Sequence, residues 1–557
     1  MNRFIYKIVT VLAVLLLPNM VSAQPKHEIR AVWLTTLGGL DWPTTKAGTP
    51  DRMERQKQEL TDILDSLEAA GFNTVLYQAR VKGDVAYRSR LEVFTESFTG
   101  HEGKDPGYDP LAFAVQECHK RGLEIHAWVI TIPVGNDKQI RRIGSQSVVK
   151  KNPKICKKYH NVWYLDPGNP ETDDYLAAIV KEIVSGYDID GVHFDYIRYP
   201  EHSPKFPDKD TYKKYGNGKE WQQWRRDNIT RIVTRLYNET KALKPWVKVS
   251  SSPVGKYKDT PRYSSNGWNA FEIVYQDVRD WLKLGIQDAV FPMMYFQDNN
   301  FYPFALDWKE NSSGRLVAPG LGVYFLHPEH GKWKIDEVVR QLYFLRDIES
   351  DGQALFRNRF LMDNIQGLKD EIKQRFYTSP AVWQPITWQD SIPPTVPTEP
   401  NIEIGAGGET TIWWTESEDN SEPRQVFYRV YGSNTYPVDT ENAENLIKTR
   451  VDDRIFTYSP TSSLKQKAYW AVTAVDRYGN ESLPLEINAP VTKSIQVLTS
   501  LPEPPEKWAI VISDITGNEI LRSKSAEGIM ESLPNGFYRV SFEDSAGNTE
   551  AAGVIVK

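Results

Sequence analysis

Between residue 28 and about residue 380, strand-like apolar runs alternate with amphipathic helical stretches, and that alternation leaves very few folds open. The expected strands are Arg30–Thr35, Asn73–Arg80, Leu123–Ile130, Gly191–Ile197, Val247–Ser252, Ala289–Tyr295, Leu316–Leu321 and Gly352–Arg357. Helical runs fall between them, among them Arg52–Ala70, Asp109–Arg121, Glu171–Ser185, Lys219–Leu243 and Gln276–Leu284. Asp109 and Pro110 offer an N-cap acid followed by proline at the first helical position. Gly71 and Gly122 stand where left-handed caps would close two helices. Eight strands with intervening helices predict an α/β fold, a (β/α)8 TIM barrel over residues 27–385. An open doubly wound sheet fits less well, because no Gly-rich nucleotide turn follows the first strand.

The composition changes at Ser391–Pro400, where residues 386–400 read as a stiff, extended proline-rich linker. Short strand-like pieces without helical period follow, including Thr411–Trp414, Gln425–Tyr431 and Ala468–Val475. With the turn Asp476–Asn480 they resemble a fibronectin type III module, an all-β sandwich, over 401–492. Residues 500–557 read as a small β module. Its Leu533–Val540 turn resembles the C-terminal sorting domain with which some Gram-negative bacteria send enzymes across the outer membrane.

Residues 1–23 have the pattern of an export signal: Arg3 and Lys7, a short apolar stretch Ile8–Leu17, and a small-residue cleavage site at Val21–Ala23. The apolar stretch is too short for a comfortable membrane span, and no integral membrane segment is expected in the mature protein. The protein is therefore expected in the periplasm, at the cell surface or secreted. Net charge is −6, so nothing suggests a nucleic-acid partner. Export permits a disulfide between Cys118 and Cys156, but their spacing does not establish one. No cluster with metal-ligand spacing appears, and no cofactor is expected.

The segment Asp190–Pro200 carries the most chemical information. Val192–Ile197 has the make-up of a buried strand, yet contains His193 and Asp195. Alternation puts these two on one face, opposite Val192, Phe194 and Tyr196. A carboxylate is costly to bury unpaired, and the end of a barrel strand is where catalytic groups are presented. The plainer explanation is a structural ion pair with Arg198 or with a base on a neighbouring strand. Other expected strands also end in polar groups. Gln78 and Arg80 share a face, followed by Asp84; Glu124, His126 and Trp128 share another; Tyr295 and Asp298 close the sixth, and Asp277 stands at a helix start. Together they bring acids, bases and aromatic rings to one rim, a set suited to carbohydrate; 17 Trp, 28 Tyr and 21 Phe add to that reading.

Glu28–Thr35, Phe72–Arg80, Gly83–Tyr87, Leu123–Trp128, Asp190–Pro200, Gln276–Asp277 and Pro292–Tyr295 resemble, in order, the glycosyl hydrolase-like 10 family. The resemblance spans roughly residues 27–360 and implies an exported TIM-barrel glycoside hydrolase acting on a polysaccharide, with peptidoglycan glycan strands as one substrate type. Glycoside cleavage usually employs two carboxyl groups flanking the scissile bond. Asp195 is expected to be the ionised one, kept charged by His193 and Arg198. Asp277 is expected to be the proton donor, with Asp298 and Asp84 behind it. Arg80, His126, Trp128, Arg198 and Tyr295 are expected to bind sugar in flanking subsites. Two other readings stay open: a glycan-binding surface protein without turnover, and a peptidoglycan lytic transglycosylase, which can operate with one acid.

Overall fold

The computed structural model describes residues 24–557 apart from 202, 406–407, 462–464, 489–496, 515–517 and 548. The export segment expected at 1–23 lies outside the described residues. The chain divides after Asn488 into two units.

Eight parallel strands close on themselves in the first unit: β1 Ile29–Leu34, β2 Thr74–Arg80, β3 Glu124–Ile130, β4 Gly191–Asp195, β5 Lys248–Ser251, β6 Ala289–Val290, β7 in two pieces, Leu316–Val317 and Gly320–Leu321, and β8 Gly352–Leu355. Each pairs with its sequence neighbours, and Ile29 of β1 lies opposite Gly352 of β8. The first piece of β7 pairs with β6 and the second with β8, so the sheet closes across the break at Pro319, which lacks a backbone donor. Every residue of β1, β2 and β4 is buried. That explains their near-continuous apolar sequences, since such strands are covered on both faces.

The outer ring comprises α1 Pro50–Ala69, α2 Pro110–Lys120, α3 Glu171–Gly186, α4 Trp221–Leu243, α5 Val278–Lys283, α6 Tyr302–Glu310 and α7 Ile335–Asp347, with shorter turns between. Asp109 caps α2 by accepting from the N–H groups of Leu111 and Ala112, both at 3.1 Å. Gly71 and Gly122, at φ +85° and +70°, end α1 and α2 in the left-handed region. Leu60, Leu64 and Leu67 form the buried stripe that seats α1 on the sheet.

A second core fills the barrel, built from Trp33, Leu76, Trp128, Phe291 and Trp383. Trp383 arrives after the last helical turn, and its indole N–H donates to Thr74 Oγ1 at 2.7 Å. It thereby plugs the end where the strands begin and leaves the opposite mouth for a site. Gly320 makes room for this filling: a Cβ there would lie 2.8 Å from the Trp33 ring.

Two strands stop earlier than their composition suggests. β4 ends at Asp195 rather than Ile197, because Tyr196 turns into the left-handed region at φ +50°. β6 ends at Val290 rather than Tyr295, with Pro292 interrupting the donor ladder.

Residues 398–487 form a sandwich of a three-stranded sheet (Thr398–Ile404, Thr410–Thr415, Ile455–Tyr458) and a four-stranded one (Phe427–Ser433, Leu446–Val451, Tyr469–Val475, Leu485–Ile487). Its core holds Ile412, Trp414, Tyr428, Trp470 and Val472. The proline-rich stretch before it is tied down: Trp388 donates to Asp288 at 2.8 Å and Gln389 to Tyr237 at 2.6 Å. The sandwich meets the closed end of the barrel through ions. Arg477 lies 2.8 Å from Asp188 and 3.5 Å from Asp190. Burial works to raise the Asp190 carboxyl, yet His119, Arg477 and Arg450 hold it well below the usual carboxylate range.

Cys118 in α2 and Cys156 are both buried free thiols. No helix among the described residues is long and apolar enough to cross a membrane. The second unit is a five-stranded sheet of its own (Val497–Leu498, Ala509–Ser513, Glu519–Ser523, Phe537–Glu543, Thr549–Val556) around Ile510, Ile512, Tyr538 and Val540.

Candidate active site

The open mouth of the barrel holds a cavity of about 450 Å³. Asp195 lies in its wall as the last residue of β4, and among the described residues it is the cavity's sole lining carboxylate. Its Oδ2 accepts from the Trp128 indole at 3.1 Å, and its Oδ1 from the Tyr196 backbone N–H at 2.7 Å. Burial pushes the Asp195 carboxyl above its ordinary value, against the pull of the Ser252 hydroxyl, the Tyr196 amide, the Arg198 charge and the Trp128 indole. A carboxyl whose hold on its proton is strengthened beside an open cavity is suited to general acid chemistry.

Aromatic side chains make the rest of the wall. Tyr295 stacks on Phe356 with centroids 5.4 Å apart, and Tyr324 meets Tyr295 edge-on at 5.8 Å. Tyr196 is 41% exposed, the result of its left-handed backbone, which swings the ring off the sheet. Gln78 lines the cavity while its Oε1 accepts from the N–H groups of Thr36 and Leu37. Arg357 is fixed by Asp41 at 2.5 Å. Flat apolar faces with polar edges suit sugar rings. Among the described residues no group of three or more His, Cys, Asp or Glu side chains is placed to hold a metal ion.

Of the residues singled out in the sequence, Asp195, Trp128 and Tyr295 meet in this cavity. Arg198 lines an adjoining cavity that shares Lys82, Ile130 and Tyr196 with it. Asp298, exposed, lines an open groove on the other side that shares Tyr295.

Five others sit elsewhere. Arg80 is fully buried, paired with Glu92 at 2.7 Å and donating to the carbonyls of Ile130 and Thr131. The β2–β3 register slips between Gln78, opposite Trp128, and Arg80, opposite Val129, so Arg80 leaves the face that Gln78 keeps. Asp84 is buried behind the wall, accepting from the Lys82 N–H at 3.0 Å. Burial and the neighbouring Glu102 push its carboxyl up to about 7. His126 lies deep in the barrel against Glu124 at 3.1 Å. His193 shares a strand face with Asp195 but sits deeper, bonded to Trp33 at 3.3 Å and Ser250 at 3.0 Å. Burial and nearby His126 push its imidazole well below its ordinary value, so it is neutral and does not keep Asp195 charged. Asp277, expected as the proton donor, accepts from the Tyr257 hydroxyl at 2.7 Å and is absent from the cavity wall.

Sequence reading passed over Lys82, Tyr196, Tyr324, His330 and Arg357, all in the wall. Arg357 was within reach, standing where the eighth strand was expected to end. Tyr196 departs from the face that strict alternation predicts, because the strand ends one residue before it.

The sequence profile of the family described as glycosyl hydrolase-like 10 matches residues 28–322. Over 501 residues the chain is 30% identical to "Glycosyl hydrolase YngK" of Bacillus subtilis (strain 168), covering 86% of this chain and 97% of the relative. It is 34% identical over 301 residues to "Glycosyl hydrolase DigH" of Escherichia coli (strain K12), covering 50% of this chain and 68% of the relative. Among solved structures it is similar to the PgaB (BpsB) glycoside hydrolase domain from Bordetella bronchiseptica, with TM-score 0.45 and 14% identity over 62% of this chain and 98% of that one. With a matched profile over more than half its length and a relative aligned nearly end to end, the chain belongs to the glycosyl hydrolase-like 10 family.

Proposed function

We propose that the barrel is a glycosidase of an exported protein, cleaving a polysaccharide with Asp195 as the proton donor. The observation that carries this reading is one carboxyl, buried and inclined to hold its proton, at the strand end facing an aromatic-lined cavity. Peptide-free peptidoglycan strands are the first substrate to try, in line with family membership. In the reaction Asp195 would protonate the glycosidic oxygen, the C–O bond would break toward that oxygen, and the positive charge would develop at the anomeric carbon. Asp195, now ionised, would take the proton of the incoming nucleophile. The Trp128 and Tyr196 N–H groups would support the carboxylate in that interval.

Among the described residues, Asp195 is the one carboxylate in this wall, so the facing pair expected from the sequence is not found there. That favours a second reading in which the attacking group is a hydroxyl of the substrate itself, giving an anhydro-sugar with Asp195 acting first as acid and then as base.

The test is incubation of the full chain and Asp195→Asn with a panel of glycans that includes peptide-free peptidoglycan strands. Reducing ends, product masses and co-sedimentation would be recorded. Wild type should release oligosaccharides, and Asp195→Asn should lose about 100-fold or more of that rate while still binding glycan. Products one water heavier than the anhydro form identify hydrolysis. Undiminished turnover in Asp195→Asn would make Asp195 structural. Binding without release across the panel would make the barrel a glycan-binding scaffold.

A further inference from the structure

Among the described residues of the barrel, Arg198 is the buried arginine that lacks a carboxylate within 3 Å. Arg30 pairs with Glu28 at 2.7 Å, Arg80 with Glu92 at 2.7 Å and Arg225 with Asp208 at 2.8 Å. Arg198 is 5% exposed, yet its carboxylate neighbour is Glu201 at 3.6 Å, itself 57% exposed. Among the described residues its buried Nε has no hydrogen-bond partner. One face of the guanidinium lies 4.8 Å from the Tyr196 ring, which offsets part of the desolvation. A planar fork of five donors held this way is incomplete without an anion, because a buried charge left unpaired is costly.

A second cation faces the same space. Lys82 is half-buried and lines both this cavity of about 400 Å³ and the one holding Asp195. Among the described residues no ion pair to its ammonium group is formed. Tyr164 and Tyr196 line the same cavity. Glu201 is the one carboxylate in this wall among the described residues, and it is free to turn to solvent. A neutral saccharide would leave both cations unanswered, whereas a carboxylate matches the fork of Arg198 in bidentate fashion.

We propose that the cavity beyond Tyr196 is a subsite for a carboxylate-bearing sugar, gripped by Arg198 and Lys82, next to the residue that is cleaved. The inference rests on the glycosidase reading of Asp195. It adds that the polysaccharide is acidic at the position flanking the scissile bond. A uronic acid and a sugar with a carboxyalkyl ether share that chemistry.

Binding separates the two claims, because it needs no turnover. Full-length Asp195→Asn would be titrated with peptide-free peptidoglycan oligosaccharides, with oligogalacturonates, and with each after reduction of its carboxyl groups to alcohols. One acidic series should bind about tenfold or more tightly than its reduced form, and the winning series names the source of the carboxylate. That advantage should shrink in Lys82→Gln and vanish in Arg198→Gln. Arg198→Lys should recover part of it, and unchanged melting temperatures would show that each variant is folded. Equal affinity for acidic and reduced ligands would overturn the subsite while leaving the cleavage reading intact. Binding to none of the glycans, charged or neutral, would overturn both.

Discussion

The indole nitrogen of Trp128 on β3 donates to Oδ2 of Asp195 on β4 at 3.1 Å, joining neighbouring strands across the barrel mouth. Burial raises the Asp195 carboxyl, and this donor is among the groups that restrain the rise. Trp128→Phe keeps most of the ring and removes the donor. The folded carboxyl should then hold its proton to higher pH, moving the alkaline limb of the activity profile upward. Loss of a hydrogen bond to a charged group also predicts a rate decrease of about tenfold. A limb that stays in place would mean the bond does not reach the catalytic step.

Asp84 should show the same physics in stability. Its folded carboxyl titrates at about 7, whereas in the unfolded chain it titrates near 4. Below about pH 4 both states hold the proton and nothing is gained or lost. As pH rises toward 7 the unfolded state releases its proton first, so stability falls until the folded pKa is passed. Asp84→Asn keeps the acceptor for Lys82 N–H and removes the titration. Its melting temperature should exceed wild type at pH 8 and match it at pH 4. A gain independent of pH would refute this account.

Tyr196 sits at φ +50°, a region that costs an L-residue about 1–2 kcal/mol. Tyr196→Gly and Tyr196→Ala both delete the ring from the cavity wall, and both should weaken glycan binding. The glycine variant should nevertheless be about 1 kcal/mol more stable than the alanine variant in urea. Equal stabilities would show that the backbone there is not strained.

Arg80 is predicted to matter for stability, not contact with sugar. Removing it leaves the buried Glu92 side chain without its ion-pair partner, a loss of about 3–5 kcal/mol. Arg80→Ala should therefore melt well below wild type, and Arg80→Ala with Glu92→Gln should recover part of the deficit. Glycan affinity measured below the melting range should be close to normal. Lost affinity in a well-folded Arg80→Ala would return Arg80 to the binding site.

Much of the architecture is legible in the sequence itself. The helix starts and stops at Asp109, Gly71 and Gly122 are local signals, carried by a capping oxygen or a missing Cβ. The alternation of strand and helix is a local period as well, and it led to a closed barrel with Asp195 at a strand end. The site was less readable. Arg80 and His193 looked equivalent to Gln78 and Asp195, because each pair is separated by two residues on a strand. A register slip removed Arg80 from the mouth, and depth within the barrel removed His193.

Strand periodicity, capping and the choice of an acid at the end of β4 are written into neighbouring residues and follow from chain geometry. Which acids face one another, how far each is dehydrated, and which cation is left without a partner depend on strands and loops far apart in the chain. Desolvation and ion pairing act through space, so Asp277 fell away from the wall and Lys82 entered it. The same physics inclines Asp195 to hold its proton.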